Sequence, residues 1–267
     1  MLKKYSLLLI LIISSLYAQN TDKAKIQVGS MFVSTFETDM QMGKKGFPLG
    51  AKINTKDQLA LESETAVFRL DGYYRFTDVH SIEYSYFSVK SDGDRFVETD
   101  FEWDGKTLSN VQANSHFNMN IYKLNYAYSF YHNKDIELAL TAGLHITGLE
   151  LGLKVEGEVD GVENEKFKSN SSFTAPLPVF GFKGEYTIIP NELFVNYKAE
   201  YFYIKYDVYK GLFVSNMINL EYRFMDHYGI GFGFHTNNLL LEMETSDKKV
   251  EVENTLSGWM AYLSYTF

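Results

Sequence analysis

The chain has 267 residues, no cysteine and a formal net charge of −9 at pH 7. The acidic balance argues against a nucleic-acid-binding protein, which would present a basic surface to phosphates. The missing cysteines exclude disulfide stabilisation, and the mean hydropathy of −0.20 argues against a bundle of membrane helices. Aromatic residues suit strands and proline interrupts them, so 20 Tyr and 21 Phe against 4 Pro favour a protein made of β-sheet.

The first 18 residues are typical of a secretory signal peptide. Lys3 and Lys4 precede an apolar run from Leu7 to Ile13, and cleavage is expected after the small residue Ala18. An uncleaved membrane anchor is the alternative, but the run is well short of the roughly 20 residues that a spanning helix needs. We therefore expect an exported protein whose mature domain covers residues 19–267.

The mature chain alternates apolar and polar side chains in about ten segments, as strands with one apolar face do. The first segment is Lys25–Phe36, with Phe32 and Phe36 expected on the same face. A Gly-rich excursion, Glu37–Ser63, follows, and Thr55–Leu61 within it fits a capped helical turn. The other segments are, in chain order, Glu64–Thr77, Ile82–Trp103, Val111–Tyr131, Ile136–Thr147, Val179–Ile188, Val195–Tyr203, Ile218–Phe224, Tyr228–His235 and Trp259–Phe267.

The connections between these segments alternate in length. Short turns such as Thr77–His80 and Pro190–Glu192 alternate with long polar loops. One-sided loop lengths are typical of a transmembrane antiparallel up-and-down β-barrel, with the short turns in the periplasm, whereas a soluble β-sandwich has no reason for them. The predicted fold is therefore all-β, a barrel of about ten strands, with eight or twelve as alternatives. An even number of strands places both termini in the periplasm.

The last strand resembles the carboxy-terminal assembly signal of bacterial outer-membrane β-barrel proteins, which ends in an aromatic residue preceded by alternating apolar ones. The matching residues are Trp259, Ala261, Leu263, Tyr265 and Phe267. Over Lys25–Phe267 the chain resembles the small barrels of the OmpA-like and OmpW-like class. The resemblance implies a monomer without cofactor in the outer membrane of a Gram-negative cell. Its expected partners are outer-membrane lipid, lipopolysaccharide and the barrel-assembly machinery, and no family's functional residues carry over.

The faces opposite the aromatic stripes carry charges that the alternation places in the lumen. These are six cations and six anions: Arg69, Arg75, Lys123, Lys183, Lys198 and Arg223, and Asp71, Glu83, Glu137, Glu185, Glu200 and Glu221. Because unpaired charges are costly in a narrow interior, balanced numbers predict a cross-barrel ion-pair network that blocks the lumen. A selective pore would show one dominant sign. A narrow, porin-like channel is the alternative.

Candidate catalytic residues are few. Ser115 and His116 are expected near the outer rim, Asp207 at a loop, and His145 and His235 in the lumen. A rim-sited protease or lipid esterase is therefore a further alternative, but none of these residues has a recognisable catalytic spacing. The function that the sequence favours is a structural or surface-interaction role.

The predicted outer loops are acidic, and we expect no fixed-spacing metal site in them. One hypothesis is that clustered carboxylates hold divalent cations, which prefer oxygen ligands. A solvated surface that keeps strands from pairing with other chains is the simpler reading. The residues are Asp92, Asp94, Glu98, Asp100, Glu102 and Asp104; Glu156, Glu158, Asp160, Glu163 and Glu165; Glu242, Glu244, Asp247, Glu251 and Glu253.

Overall fold

The computed structural model describes residues 22–44, 53–54, 62–63, 66–98, 100–103, 106–206, 209–244 and 248–267. The predicted signal peptide and the predicted helical turn at Thr55–Leu61 lie outside these residues. Within them, no helix is long and apolar enough to span a bilayer.

The described residues form thirteen strands. They are β1 (Ala24–Lys44), β2 (Ile53–Asn54), β3 (Glu62–Ser63), β4 (Ala66–Thr77), β5 (His80–Val97), β6 (Phe101–Trp103), β7 (Lys106–His132), β8 (Ile136–Val159), β9 (Val162–Ile189), β10 (Leu193–Tyr206), β11 (Tyr209–Arg223), β12 (Tyr228–Glu244) and β13 (Lys248–Thr266).

Ten of the described strands close into a ring. Each long strand pairs antiparallel with the next long strand in the chain, and β13 pairs with β1 to complete the circle. The short strands β2, β3 and β6 pair with β1, β5 and β7. Closure of the ring leaves none of these ten strands with an unpaired edge near the short turns. The prediction of a ten-stranded up-and-down barrel is confirmed.

Both ends of the described chain lie at the same end of the barrel as the short turns, which we call the turn end. The amide of Lys23 donates to the carbonyl of Phe267 at 2.9 Å, and the amide of Phe267 donates to the carbonyl of Ala24 at 2.9 Å. The opposite, distal end is reached by the longest strands: β7, β8 and β9 have 27, 24 and 28 residues. A tilted strand needs only roughly 9 to 11 residues to cross a bilayer.

Where the structure describes them, the distal excursions are therefore mostly paired strand rather than loop. Glu156 and Glu158 lie on β8, and the chain reverses at Asp160–Gly161. Gly161 has a φ of +80°, which glycine adopts without the strain that a Cβ would add.

A β-bulge corrects the predicted face of Phe36. The pairing of β1 with β13 shifts between Val33 and Thr35, so one extra residue turns the rest of the strand over. Phe32 is 49% exposed on the outer wall, whereas Phe36 is 7% exposed inside, with its ring 5.6 Å from that of Phe117. The strand also continues to Lys44 instead of ending at Phe36.

The long strands change which face is apolar part-way along their length. On β8, Leu140 and Ile146 are exposed on the outer wall, whereas Leu151 and Leu153 are buried inside and Lys154 is exposed outside. The change falls at Thr147–Gly148. The alternation of inward and outward residues is uninterrupted across this point, so only the chemistry of the two faces is exchanged.

Neighbouring strands change at the same level. On β7, outward Tyr122 follows outward Asn120, and on β5 inward Phe87 follows inward Ser85. We call the part on the turn-end side of this level the proximal part and the rest the distal part. The proximal part is apolar outside and polar inside, and the distal part is the reverse. The buried distal core comprises mainly Met31, Phe36, Val67, Phe87, Val89, Val97, Trp103, Leu108, Val111, Phe117, Met119, Ile121, Leu149, Leu151, Leu153, Val155, Val159, Val252 and Leu256.

Candidate functional site

The proximal lumen contains a chain of buried ion pairs that crosses between strands. Glu83 of β5 accepts Lys183 Nζ at 3.0 Å and Lys198 Nζ at 2.6 Å through its two carboxylate oxygens. Lys198 also lies 3.1 Å from Glu200 Oε1. One lysine thus connects two carboxylates, so the charges neutralise one another as a group.

Glu200 is the most heavily coordinated carboxylate of this chain of ion pairs. It accepts Lys123 Nζ at 2.8 Å and the amide of Asn125 at 2.6 Å, and His145 Nε2 lies 3.3 Å away. Glu200 lies on β10, its donors Lys123 and Asn125 lie on β7 and its neighbour His145 lies on β8, so these contacts connect distant segments of the ring. A buried carboxylate with several donors has the compensation that its lost hydration requires.

Two further groups of ion pairs lie nearer the turn end. Arg75 donates to Glu137 at 2.8 Å. Lys25 lies 2.6 Å from Glu221, which also accepts the hydroxyl of Tyr262 at 3.1 Å. Arg223, another of the predicted lumen arginines, also pairs near the turn end, where its Nη2 is 2.6 Å from the carboxylate of Asp22.

Arg69 lies at the distal limit of the polar lumen. Its guanidinium donates to Asp71 at 2.6 Å and to His235 Nδ1 at 2.5 Å, and it lies 5.1 Å from the ring centroid of Phe87. His235 Nε2 is 3.0 Å from Ser215 Oγ. Because Arg69 can only donate, Nδ1 must accept, and a neutral His235 then carries its proton on Nε2 and donates it to the serine. In this arrangement His235 does not act as a base toward Ser215.

The structure therefore brings eleven of the twelve predicted lumen residues into direct ion pairs. Glu185 lines the same cavity as Lys25 and Lys183 but makes no direct ion pair among the described residues. Sequence reasoning missed Lys25, Asp22 and Tyr262 as members. The alternation could have indicated Lys25 and Tyr262, because each lies two residues before an inward residue, Gln27 and Ser264 respectively, and residues two positions apart in a strand share a face.

A glycine makes room for one polar group of the network. A Cβ on Gly143 would lie 2.0 Å from Asn125 Oδ1 and 2.3 Å from the carbonyl oxygen of Leu124. Both approaches are far below van der Waals contact. Gly143 therefore allows the Asn125 amide to lie against the neighbouring strand while it donates to Glu200.

A cavity of about 90 Å³ lies within the polar lumen. Its walls include Glu83, Lys123, Lys198, Glu200 and His235. A volume of this size holds several water molecules, which polar walls can bind. Completely buried Phe87 packs against two residues that line the cavity, with its ring centroid 6.1 Å from that of His235 and 5.1 Å from the guanidinium of Arg69.

The predicted assembly-signal residues lie on the outer wall of β13, which pairs with both β1 and β12. Trp259, Leu263 and Phe267 are exposed and Ala261 and Tyr265 are half-buried. Their role in assembly stays a prediction.

The predicted rim residues do not assemble into a catalytic group. Ser115 is buried inside, where its hydroxyl donates to the carbonyl of Gly93, whereas His116 is exposed outside, 2.7 Å from Asp92. Asp207 lies outside the described residues. Among the residues that the structure describes, no group of three or more His, Asp or Glu side chains is arranged to hold a metal ion.

Comparisons with known proteins bear on the fold alone. No family model and no curated protein matches the chain. The outer-membrane protease OmpT of Escherichia coli matches with a TM-score of 0.57 and 12% identity, over 95% of this chain and 100% of that one. The fold is that of an outer-membrane β-barrel. The toluene transporter TodX of Pseudomonas putida (TM-score 0.36, 8% identity, 92% and 90% covered) and Ail of Yersinia pestis (0.27, 10%, 90% and 98%) also match.

Proposed function

We propose that the protein is a closed outer-membrane barrel that conducts no solute and acts through its distal, extracellular part. The observation that carries this proposal is the two-layer filling of its interior. An ion-pair network fills the proximal lumen, and an apolar core fills the distal interior. Outer-membrane location follows from the fold and from the apolar outer wall of the proximal part.

The chemistry of the lumen supports closure over a porin-like passage. A conducting path needs a continuous polar route, and the side chains on the distal side of Arg69 and His235 are mainly apolar, with separate buried polar groups such as Ser115 and Asn254 among them. The proximal charges are also mutually neutralised, so no single sign dominates the wall. A solute would have to break ion pairs in the proximal part and displace packed side chains in the distal part.

The distal part supports a surface-interaction role. Strands that extend far beyond bilayer thickness place a rigid, paired sheet outside the membrane, which a barrel needs neither for closure nor for stability in lipid. A rigid scaffold of this kind presents side chains at defined spacings.

Conductance in planar bilayers tests closure. We expect no single-channel steps from the refolded wild-type protein, and none from Lys198→Ala, because the distal core still seals the interior. A double variant that also carries Leu153→Gly removes packing in both layers and serves as the matched comparison. Reproducible steps from the wild type would refute the proposal.

The rim hydrolase gains no support from the arrangement of Ser115, His116, Ser215 and His235 described above. Incubation of the folded protein with outer-membrane lipid and with a dibasic peptide tests it. We expect neither fatty acid nor peptide fragments to be released, and turnover above a heat-unfolded control would overturn this expectation.

A further inference from the structure

The outer wall has a third zone between its apolar and charged surfaces. Just distal to the level where the faces change, outward positions on β5, β7 and β9 carry mainly hydroxyl and amide groups. They are Ser88, Asn118, Asn120, Asn170, Ser172 and Thr174, all exposed or half-buried. We call this zone, together with its continuation on the opposite wall, the hydroxyl–amide belt.

Cross-strand pairing places these residues in shared rows. Ser88 is opposite Asn120, and Ser172 is opposite Glu150, which in turn is opposite Asn118. The Ser88 hydroxyl is 3.3 Å from Asn118 Oδ1, so the side chains form one surface. Lys90 and Glu150, which have opposite signs, lie in one of these rows, and Asp92, 2.7 Å from His116, lies in the row of Asn170.

The opposite wall repeats the pattern. On β1, β12 and β13 the corresponding outward residues are Ser34, Thr236, Asn238, Thr255 and Ser257. Ser34 Oγ lies 3.1 Å from Ser257 Oγ, and Thr255 donates to Asn238 Oδ1 at 3.2 Å. The belt is thus present on two separate arcs of the ring and does not depend on one local sequence.

Simple solvation does not explain this composition. Asparagine is depleted in strands, because its side chain competes for backbone hydrogen bonds and packs poorly on a pleated surface. The next rows toward the distal end are mainly charged, with Lys154, Lys168 and the ion pair of Glu156 with Lys166 at 3.0 Å, although Asn114 and Gln112 also lie in them. Charged side chains would be hydrated equally well at both levels, so hydration alone does not explain why the belt is mainly neutral. We therefore attribute its composition to what the outer wall contacts at that level.

That height is the membrane surface. Tyr86 on β5 and Tyr122 on β7, with ring centroids 4.9 Å apart, lie directly on the proximal side of the belt, and aromatic residues mark the bilayer interface. In an outer-membrane barrel whose long side faces outward, the belt therefore meets the headgroups of the outer leaflet.

We infer that the hydroxyl–amide belt binds the sugar headgroups of outer-leaflet glycolipid. Asn, Ser and Thr offer donors and acceptors at short reach, which is the complement of a sugar's hydroxyl groups. Binding to phosphate alone would favour Arg and Lys, and Lys90 is the single Lys or Arg of these described rows. The inference rests on the outer-membrane placement in the proposed function, but not on the closed lumen, so a conductance result leaves it unaffected.

The test compares two glycolipid probes on the folded, detergent-solubilised protein. One is lipopolysaccharide that retains its core sugars, and the other is lipid A stripped of them. We expect the wild type to bind the sugar-bearing probe at least about tenfold more tightly, a ratio that two or three net hydrogen bonds supply. Equal affinities would overturn the inference without any variant.

The variant Asn118→Val/Asn120→Val/Asn170→Val removes amides while favouring the strand. We expect it to lose about tenfold in affinity for the sugar-bearing probe and nothing for lipid A. The matched control, Lys154→Gln/Lys166→Gln/Lys168→Gln, changes the charged rows and should retain the wild-type preference. Loss of the preference in the control, or its retention in the asparagine variant, would contradict the inference.

Discussion

The proximal and distal parts of the wall are built from the same strands, yet their hydrophobic faces are reversed. On β8, Leu140 faces outward and Leu151 inward, although both follow the same two-residue alternation. The surroundings explain the reversal. Where the outside is hydrocarbon, apolar residues are stable on the outer wall, and where the outside is water they are stable in the core. One β-sheet thus obeys membrane rules along one part of its length and soluble-protein rules along the other.

The two interiors also differ in what they demand of their side chains. Apolar groups need only fill volume, because the hydrophobic effect has no direction. Ionised groups need partners at specified positions, as Glu83 needs Lys183 and Lys198. Substitutions in the two parts should therefore fail for different reasons.

The largest effect is expected from a charge in the distal core. Leu153→Lys puts a cation where the side chain is 1% exposed among apolar neighbours, and we expect a loss of about 4 kcal/mol or more in the free energy of unfolding. Urea titration of the folded protein in lipid vesicles measures it. Lys154→Gln, the adjacent outward residue, is the control and should change stability by less than about 0.5 kcal/mol. Similar losses in both would mean that the distal interior is not an apolar core.

The next effect is expected in the proximal lumen. Glu200→Gln leaves Lys123 buried without its carboxylate, and we expect a loss of about 3 kcal/mol. The double variant Lys123→Met/Glu200→Gln should recover part of the loss, since it removes the unmatched charge. A double-mutant cycle in urea checks this. Additive losses would show that the two side chains do not interact.

A smaller loss is expected on the proximal outer wall. Leu140→Lys places a cation against lipid and should cost about 2 kcal/mol when the protein unfolds from vesicles. The same cation at an outward distal position, Glu150→Lys, lies beyond the hydrocarbon and should cost little. Equal costs would contradict the reversal of faces on β8.

The smallest effect concerns the tip of the distal part. The hydrogen bonds from Lys106 and from the Thr107 amide lower the pKa of Asp160 below its ordinary value of 3.8. A lowered pKa means that this local stabilisation is present at neutral pH and is lost as the pH falls through the folded-state pKa. We expect the protection factor of the Thr107 amide, which is its exchange rate relative to the intrinsic rate at the same pH, to fall in acid. Asp160→Asn, which tolerates the φ of +49°, should show no such acid step.

Much of the proximal part could be predicted from the sequence, because alternation alone assigns each side chain to a face. Arg75 and Glu137 were placed in the lumen in this way, but their pairing was not predicted. The two residues are 62 positions apart in the chain, and whether they meet depends on how their strands are staggered around the ring. Phe36 was misplaced, because a β-bulge leaves no signal in the alternation that precedes it. Asp22 lies before the first strand, so no alternation indicated that it would pair with a lumen residue.

The distal part was harder to interpret. Acidic residues such as Glu156 favoured a loop, although Leu149, Leu151 and Leu153, which precede Glu156, kept the two-residue period of a strand. The alternation was visible there, but the sequence does not say which face is covered. A strand with apolar residues on one side reads the same whether that side meets lipid or a core.

The sequence by itself determined that the chain forms alternating strands, that about ten of them close the wall, and which residues share a face wherever no bulge interrupts a strand, because these follow from local periodicity and turn length. Tertiary structure alone decided which charges meet, where the bulge turns β1 over, and that the apolar side changes from outside to inside. The physical reason is that pairing and burial depend on strand stagger and on the medium at each height, and neither is a property of neighbouring residues in the chain.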